Sequence, residues 1–109
     1  MRVLVCGGRN YDDWAFIVRV LDRVHARQSI TLLIEGGASG ADEFARRWAR
    51  ARGIEVATFN ADWDRYQGRA GLIRNAQMLL EGRPEMVVAF RGGRLTSDSF
   101  ASARRSFRT

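Results

Sequence analysis

The stretch Ile30-Thr-Leu-Leu-Ile34, followed by Glu35-Gly-Gly-Ala-Ser-Gly-Ala-Asp42, carries the most information about the fold of this chain. Its first half is a continuous apolar run, which is typical of a strand buried on both faces of a parallel sheet. Its second half contains paired glycines, and Ser39 with Asp42 resembles a capping box at the start of a helix. The stretch therefore predicts a strand, a tight glycine-rich loop and a helix.

Two other apolar runs end in the same way. Residues 2–6 are followed by Gly7-Gly8, and residues 86–90 are followed after one residue by Gly92-Gly93. A further strand is predicted over residues 54–59 because Ile54 to Phe59 is mostly apolar. The sequence therefore predicts four strands, three of which lead into double glycines.

Segments with a 3.6-residue apolar period separate these strands. The first carries Trp14, Ile17 and Leu21 on one stripe and begins at Asp12 or Asp13, either of which can cap a helix. The second helix is predicted from Ala41 to Gly53 and the third over residues 72–80, before Gly82 and Pro84. Residues 60–71 are polar and aromatic, which indicates a long loop.

This alternation of strands and helices predicts an α/β fold, a Rossmann-like three-layer α/β/α domain with a small parallel sheet of four core strands. We place this domain at residues 1–94 and a basic, helical C-terminal segment at residues 95–109. Right-handed crossovers put every strand-to-helix loop at one edge of the sheet, where open α/β sheets bind ligands.

Composition excludes several classes of function. All 18 basic residues are Arg, so a Lys-dependent phosphate loop and Schiff-base chemistry are absent. One Cys and one His cannot build a His/Cys zinc site or a disulfide framework. Cys6 is interpreted as a small buried hydrophobe because His25 falls towards the opposite edge of the sheet. With no apolar run near ~20 residues and no signal peptide, we expect a cytoplasmic protein without a membrane partner.

The net charge of +6 is unevenly distributed. Residues 1–90 contain thirteen Arg against eleven acids, whereas residues 91–109 contain five Arg against Asp98 alone. The body is therefore close to neutral, and the basic tail is the part that could contact nucleic acid.

The glycine loops are predicted to bind an anion. Glycine lets the backbone approach a ligand closely, and loop amides at a helix N-terminus favour negative charge. Arginines near these loops could grip phosphate or carboxylate, and Arg9, Arg74 and Arg94 are the favoured ones. Arg46, Arg47, Arg50 and Arg52 lie farther along the second helix and are expected to face solvent.

Carboxylates and aromatic residues are also expected at this edge. Glu35 ends a buried strand, where a charge needs a partner, and Asp42 complements a helix N-terminus. Asp98 is a third acidic candidate. Trp63 and Tyr66 could either stack on a base or close over the core, and the sequence favours neither.

With these segments in view, the chain resembles the SLOG superfamily, in particular its branch of YspA- and YpsA-related proteins. The resemblance covers residues 2 to about 98. It rests on Val5-Cys-Gly-Gly-Arg-Asn-Tyr11, on the block from Glu35 to Asp42, on Arg74-Asn75 with Met78, and on Gly92-Gly93-Arg94 followed by Thr96 and Asp98. It implies a Rossmann-like fold that binds nucleotides or nucleotide-derived molecules such as relatives of ADP-ribose.

The residues and the resemblance together define a predicted ligand site without a protein-bound metal; Mg²⁺ accompanying a ligand phosphate is left open. The site comprises Gly7, Gly8, Arg9, Glu35, Gly36, Gly37, Ser39, Gly40, Asp42, Arg74, Asn75, Gly92, Gly93, Arg94 and Thr96.

Two distant resemblances supply alternative functions. In LOG-type phosphoribohydrolases the catalytic Arg corresponds to Arg74, but Ser99 stands where that family has its catalytic Glu. An N-glycosidic hydrolase would therefore use Arg74 with Glu35 or Asp98. The chain is also similar to the Rossmann-like domain of DprA, which implies single-stranded nucleic acid as a possible partner. The leading hypothesis remains a module that senses or sequesters a nucleotide-derived ligand.

The resemblance also bears on assembly. Residues 95–109 stand where the family has its last helix and strand. We therefore expect an exposed sheet edge that a second subunit covers, and hence a homo-oligomer.

Overall fold

The computed structural model describes residues 1–92 and the backbone of residues 106–108. The strands are β1 (Arg2–Cys6), β2 (Leu32–Glu35), β3 (Glu55–Thr58), β4 (Met86–Ala89) and β5 (Ser106–Arg108). The helices in the described part are α1 (Trp14–Arg27), α2 (Ala41–Ala51), α3 (Trp63–Tyr66) and α4 (Ala70–Gly82).

The strands of the described residues pair in parallel, in the order β3-β2-β1-β4-β5. Leu4 in β1 is paired with Ile34 of β2 and Val87 of β4, and β1 is the central strand of the five-stranded sheet. The chain first moves outward from β1 to β3 and then crosses back to β4. The strand order therefore reverses between β1 and β4, where α/β sheets bind ligands at their carboxyl edge.

Alternate residues of β1 face two separate cores. Val3 and Val5 pack with Ile17 and Leu21 of α1 on one face, where Trp48 of α2 is also buried. On the other face, Leu4 and Cys6 pack with Met78 of α4. The period of two along β1 thus sends its side chains to helices on opposite faces, which confirms the predicted Rossmann-like α/β/α domain.

Local signals explain where the main helices begin and end. The Asp13 side chain accepts a hydrogen bond from the Phe16 amide at the start of α1, which selects Asp13 over Asp12 as the cap. Gly40 is the N-cap of α2 and makes no side-chain capping bond, so the predicted capping box is not formed. At the other end of α4, Arg83 adopts the left-handed conformation directly before Pro84.

Two expectations about organisation are wrong. Residues 60–71, predicted as a loop, contain α3 and a 3₁₀ turn at Gln67–Arg69. The sheet has a fifth strand, because residues 106–108 pair with β4 on the edge expected to be open. A three-residue strand is too short to show a period in sequence, and its backbone satisfies the hydrogen bonds that an edge would leave free. The boundary at residue 94 and the remainder of the predicted helical tail lie outside the described residues.

Candidate functional site

The loops after β1, β2 and β4 meet at Gly8. The Gly8 amide donates to the Arg91 carbonyl at 2.8 Å, and the Gly8 carbonyl accepts from the Ala41 amide at 3.2 Å. The first bond connects the loops after β1 and β4, and the second connects the loop after β1 to the start of α2. The glycine-rich loops thus lie at one edge of the sheet.

Glycine is required at two of these contacts for different reasons. At Gly8, an added Cβ would lie 2.9 Å from the Arg91 carbonyl oxygen, so the close approach of the two loops excludes a side chain. At Gly40, the φ angle of +74° is in the left-handed region, and a Cβ would collide with the carbonyl oxygens of Gly8 and Arg9. The loops can therefore meet only because no side chain separates their backbones at Gly8 and Gly40.

The amides of the β2 loop are occupied by the chain's own carboxylates. Gly36 and Ala38 donate to Asp42 Oδ2 at 3.2 and 3.3 Å, and Gly37 donates to Glu35 Oε1 at 2.7 Å. The sequence predicted that these amides would face an anionic ligand. In the structure they stabilise a loop that folds around two internal anions.

Glu35 lies behind the loop and has no exposed surface. Its Oε1 also accepts a hydrogen bond from Arg46 Nη1 at 3.1 Å, and its Oε2 accepts one from the Thr58 hydroxyl. A buried carboxylate requires such partners because leaving water is costly. Glu35 is therefore placed with protein partners on both oxygens and away from the cleft described below.

Arg46 was expected to face solvent, and this is wrong, whereas Arg52 is exposed as expected. Arg46 pairs with Glu35, while Arg52 pairs with Asp22 at 2.8 Å and lies 4.7 Å from the ring centre of Trp48. Long arginine stems can lie along a protein surface while the guanidinium reaches a carboxylate. These contacts join residues that are distant in sequence, so helical periodicity does not detect them.

Asp42 is buried within the same loop and is 6% exposed. Burial, followed by the nearby charge of Glu35, raises the pKa of Asp42 from 3.8 to about 6. The two amide bonds to its carboxylate and the Arg74 charge act in the opposite direction. The carboxyl of Asp42 therefore titrates closer to neutrality than an exposed aspartate.

Arg74 is held in place by the β2 loop and by its neighbour on α4. Its Nη1 donates to the Gly36 carbonyl at 2.6 Å, and its Nε donates to Asn75 Oδ1 at 2.8 Å. Asn75 is itself buried, so it fixes the guanidinium from the protein side. The predicted pair Arg74-Asn75 thus forms one unit at the carboxyl edge of the sheet.

A cleft of about 350 Å³ opens beside Arg74. We call it the Arg9–Arg74 cleft, and its lining includes Arg9, Gly37, Ser39, Asn60, Trp63 and Arg74. The Ser39 hydroxyl donates to the Arg9 carbonyl at 3.1 Å, which connects the first loop to the second. With Gly36, which also lines it, the cleft brings together five predicted site residues from two loops and from α4.

Sequence reasoning did not single out Asn60, and it named Trp63 with two alternatives left open. Trp63 is 47% exposed and lies beside Arg9, whose guanidinium carbon is 5.7 Å from the ring centre. Of the two alternatives for Trp63, closing over the core does not fit this exposure. The tryptophan in a polar loop was a visible signal, but only the folded loop shows its position beside two arginines.

A second cleft lies where the strand order reverses. It measures about 690 Å³, and its lining includes Gly8, Arg9, Tyr11, Phe16, Arg91 and Gly92. Arg9 lines both clefts, so the first loop separates them. Gly7 does not line this cleft, and an added Cβ there would meet Ala41 and Phe90. Gly93, Arg94, Thr96 and Asp98 lie outside the described residues.

Cys6 is buried on the α4 face of the sheet. Burial, with a contribution from Asp42, raises the pKa of the Cys6 thiol from 9.0 to about 12. A thiolate is the reactive form of cysteine, so this environment keeps Cys6 unreactive. The only histidine, His25, instead accepts a hydrogen bond from the Ile30 amide at 2.9 Å.

The described residues offer neither a cluster of metal ligands nor a helix that could span a membrane. Residues 1–92 and 106–108 contain no cluster of three or more His, Cys, Asp or Glu side chains placed to hold a metal ion. Within the same ranges, no helix combines the length and hydropathy needed to cross a bilayer.

Comparison with known proteins supports the resemblance drawn from the motifs. The family model described as YspA, cpYpsA-related SLOG family matches residues 1–66. The Gene 61 protein of Mycobacterium phage D29 is 35% identical over 99 residues, which cover 85% of this chain and 78% of that protein. No solved structure matches the chain significantly. The predicted relation to the SLOG branch is thereby confirmed.

Proposed function

The chain belongs to the YspA, cpYpsA-related SLOG family, and we propose that it binds a nucleotide-derived anion of the ADP-ribose type in the Arg9–Arg74 cleft. Membership in this family suggests a nucleotide-related binding role or a LOG-like role. The observation that carries the proposal is the placement of two guanidinium groups and an exposed indole around one cleft. Such a module would sense or sequester its ligand.

The charge of the cleft favours an anion. Arg9 and Arg74 contribute positive charge, and no carboxylate is found among the described residues that line it. Arginine binds phosphate through paired N–H donors, and each charge-assisted hydrogen bond contributes about 1.5–3 kcal/mol. The amides of Gly36, Gly37 and Ala38 already donate to Asp42 or Glu35. We therefore assign phosphate binding mainly to the guanidinium groups of the two cleft arginines.

The exposed indole provides a surface for the ligand's base. Trp63 is half exposed, lies beside Arg9 and lines the Arg9–Arg74 cleft. Stacking of a base on an aromatic ring contributes roughly 1–3 kcal/mol and tolerates different bases. A volume of about 350 Å³ is in the lower part of the range of small-molecule sites, which fits a mononucleotide unit.

Hydrolysis of a glycosidic bond is the less favoured role. General acid catalysis requires a proton-donating side chain within hydrogen-bond reach of the substrate, and the candidate acids are Glu35 and Asp98. Glu35 is fully buried and bonded through both oxygens, and Asp98 lies outside the described residues. Binding without turnover is therefore the function that these contacts support best.

The proposal is tested by isothermal titration calorimetry with AMP, ADP, NAD⁺, ADP-ribose and a single-stranded DNA oligonucleotide. Arg9→Gln should weaken binding of the tightest ligand roughly 10- to 100-fold, since it removes one charge-assisted contact. Arg50→Gln is the matched control, because Arg50 is exposed on α2 and its loss changes the net charge equally.

Equal affinity of Arg9→Gln and the native chain would contradict the proposal, as would a folded native chain that binds no nucleotide. The same mixtures, analysed by chromatography for free base, show whether the ligand is hydrolysed. Tight binding of DNA alone, with steep salt dependence, would assign the site to nucleic acid instead.

A further inference from the structure

Asp42 and Arg74 contact the β2 loop at the same residue, Gly36. The Gly36 amide donates to Asp42 Oδ2 at 3.2 Å, and the Gly36 carbonyl accepts from Arg74 Nη1 at 2.6 Å. A Cβ built on Gly36 would lie 3.0 Å from that carboxylate oxygen and 2.5 Å from that guanidinium nitrogen, so the two atoms are at most 5.5 Å apart. A buried carboxylate therefore lies close to one of the two cations that line the Arg9–Arg74 cleft.

The charged and titratable groups that act on Asp42, among the described residues, come from three other elements. Glu35 at the end of β2 adds a second carboxylate, which carries its charge in an ion pair with Arg46. Arg74 of α4 is the nearby cation, and Cys6 of β1 is a thiol whose pKa of about 12 keeps it neutral. The carboxyl of Asp42 has a pKa of about 6, so it exchanges its proton in mildly acidic solution.

The balance of charge around Gly36 changes when an anion enters the cleft. In the free protein the charge of Arg74 favours the ionised form of Asp42, whereas the charge of Glu35 opposes it. A phosphate bound to Arg74 neutralises that cation and places a negative charge within roughly 10 Å of the Asp42 carboxylate. Both changes penalise the charged form of the carboxyl, so they favour its protonation.

We propose that the Arg9–Arg74 cleft takes up a proton at Asp42 when it binds an anion, so that the site holds its ligand more tightly in mildly acidic solution. This inference rests on the proposed function, since it needs an anion beside Arg74. By linkage, protonation of Asp42 raises the affinity for the anion by the same factor as the anion raises the affinity of Asp42 for the proton. The cleft is therefore a pH-sensitive binding site whose titrating group lies inside the protein.

The sign of the pH dependence follows from which form of Asp42 binds the anion better. Well below the free protein's pKa of about 6 the carboxyl is already protonated, and the affinity is at its maximum. Above the pKa of the complex, which the bound anion raises, both states are ionised and the affinity is at its minimum. A difference of one between the two pKa values makes these limits differ tenfold. For a charge at this distance we expect the affinity to fall on the order of 10-fold from pH 5 to pH 8.

Calorimetry with ADP-ribose at pH 6.5, in two buffers of different ionisation enthalpy, counts the protons taken up on binding. ADP-ribose has no terminal phosphate, so it lacks the ionisation near pH 6 that a phosphate monoester would add to the measurement. The native chain should take up about half a proton per ligand. Asp42→Asn should take up none and should lose the pH dependence of affinity. Glu81→Gln is the control, because Glu81 is exposed near the end of α4, and it should keep the native proton uptake.

A measurement on the native chain keeps the inference testable even if Asp42→Asn fails to fold. An NMR titration of the carboxyl carbon follows Asp42 directly, and its pKa should rise from about 6 to about 7 when the protein is saturated with ADP-ribose. Binding of ADP-ribose without proton uptake, or with the pKa of Asp42 unchanged, would overturn this inference and leave the proposed function standing. Failure of ADP-ribose to bind the folded native chain would overturn both this inference and the ligand class proposed above.

Discussion

Arg74 donates a 2.6 Å hydrogen bond from its Nη1 to the carbonyl oxygen of Gly36, a residue 38 positions earlier in the chain. This bond connects α4 on one face of the sheet to the loop that follows β2. The Arg74 guanidinium therefore lines the cleft and also holds the loop in place. The bond also gives the Gly36 carbonyl a hydrogen-bond donor, so this carbonyl does not need a backbone amide as its partner.

Arg74→Gln is expected to weaken ligand binding and stability together. The shorter side chain loses both the Gly36 carbonyl and the phosphate, so affinity should fall at least about 10-fold and unfolding free energy by about 1–2 kcal/mol. Calorimetry and urea denaturation measure the two effects. Arg50→Gln should change neither, and a variant with native affinity would remove Arg74 from the binding site.

Alanine substitutions at Gly40 and Gly53 separate the cost of backbone strain from the cost of a steric clash. Both have positive φ angles, +74° and +70°, but a Cβ at Gly53 meets nothing within 4 Å. Gly53→Ala should therefore cost about 1–2 kcal/mol from backbone strain alone. Gly40→Ala adds a collision with the Gly8 carbonyl and should cost at least about 3 kcal/mol. Equal losses in urea denaturation would show that the loops do not meet as described.

The ion pair of Arg46 with Glu35 predicts a specific pattern in a double-mutant cycle. Arg46→Met leaves the fully buried carboxylate without its cation and should cost roughly 3 kcal/mol. Adding Glu35→Gln removes the uncompensated charge and should recover much of that loss. Urea denaturation of the native chain and the three variants gives the coupling energy. Additive losses would indicate that the two groups do not interact.

The raised pKa of Asp42 predicts the sign of a pH effect on stability. Between pH about 4 and about 6 the native state binds this proton and the unfolded state does not. The contribution of Asp42 is therefore fully present below pH 4 and is lost as pH rises through 6. A shift from 3.8 to about 6 corresponds to a loss on the order of 3 kcal/mol.

Asp42→Asn should remove this pH dependence, because the amide oxygen can still accept from Gly36 and Ala38 and carries no charge. The native chain should therefore become less stable relative to the variant between pH 4 and pH 7. Thermal denaturation across that range measures the difference. A difference that is constant with pH would show that the carboxyl of Asp42 has an ordinary pKa.

Local sequence signals predicted most of the architecture. The apolar runs of β1, β2 and β4 indicate buried parallel strands, and Ile17 with Leu21 marks the inward stripe of α1. Asp13 was one of two predicted caps. By contrast, α3 has four residues and β5 has three, which are lengths at which periodicity gives no signal.

The candidate site was predicted less completely than the fold. Arg9, Arg74 and the glycine loops were correctly placed at one edge, because parallel strands bring their carboxyl ends together. The role of Arg46 was missed, since its position on the helix indicates solvent and only the location of Glu35 shows a partner. Asn60 was also missed, because nothing in its neighbourhood in sequence relates it to Arg74.

The sequence by itself determined the order of strands and helices, the parallel sheet and the edge at which the loops gather. These properties follow from the spacing of apolar residues and from glycine, which act over a few neighbours. Only the tertiary structure decided which charges are neutralised inside the protein and which remain for a ligand. Glu35 with Arg46 and Gly36 with Arg74 meet across the folded chain, and electrostatic contacts depend on distance in space, which sequence spacing does not give.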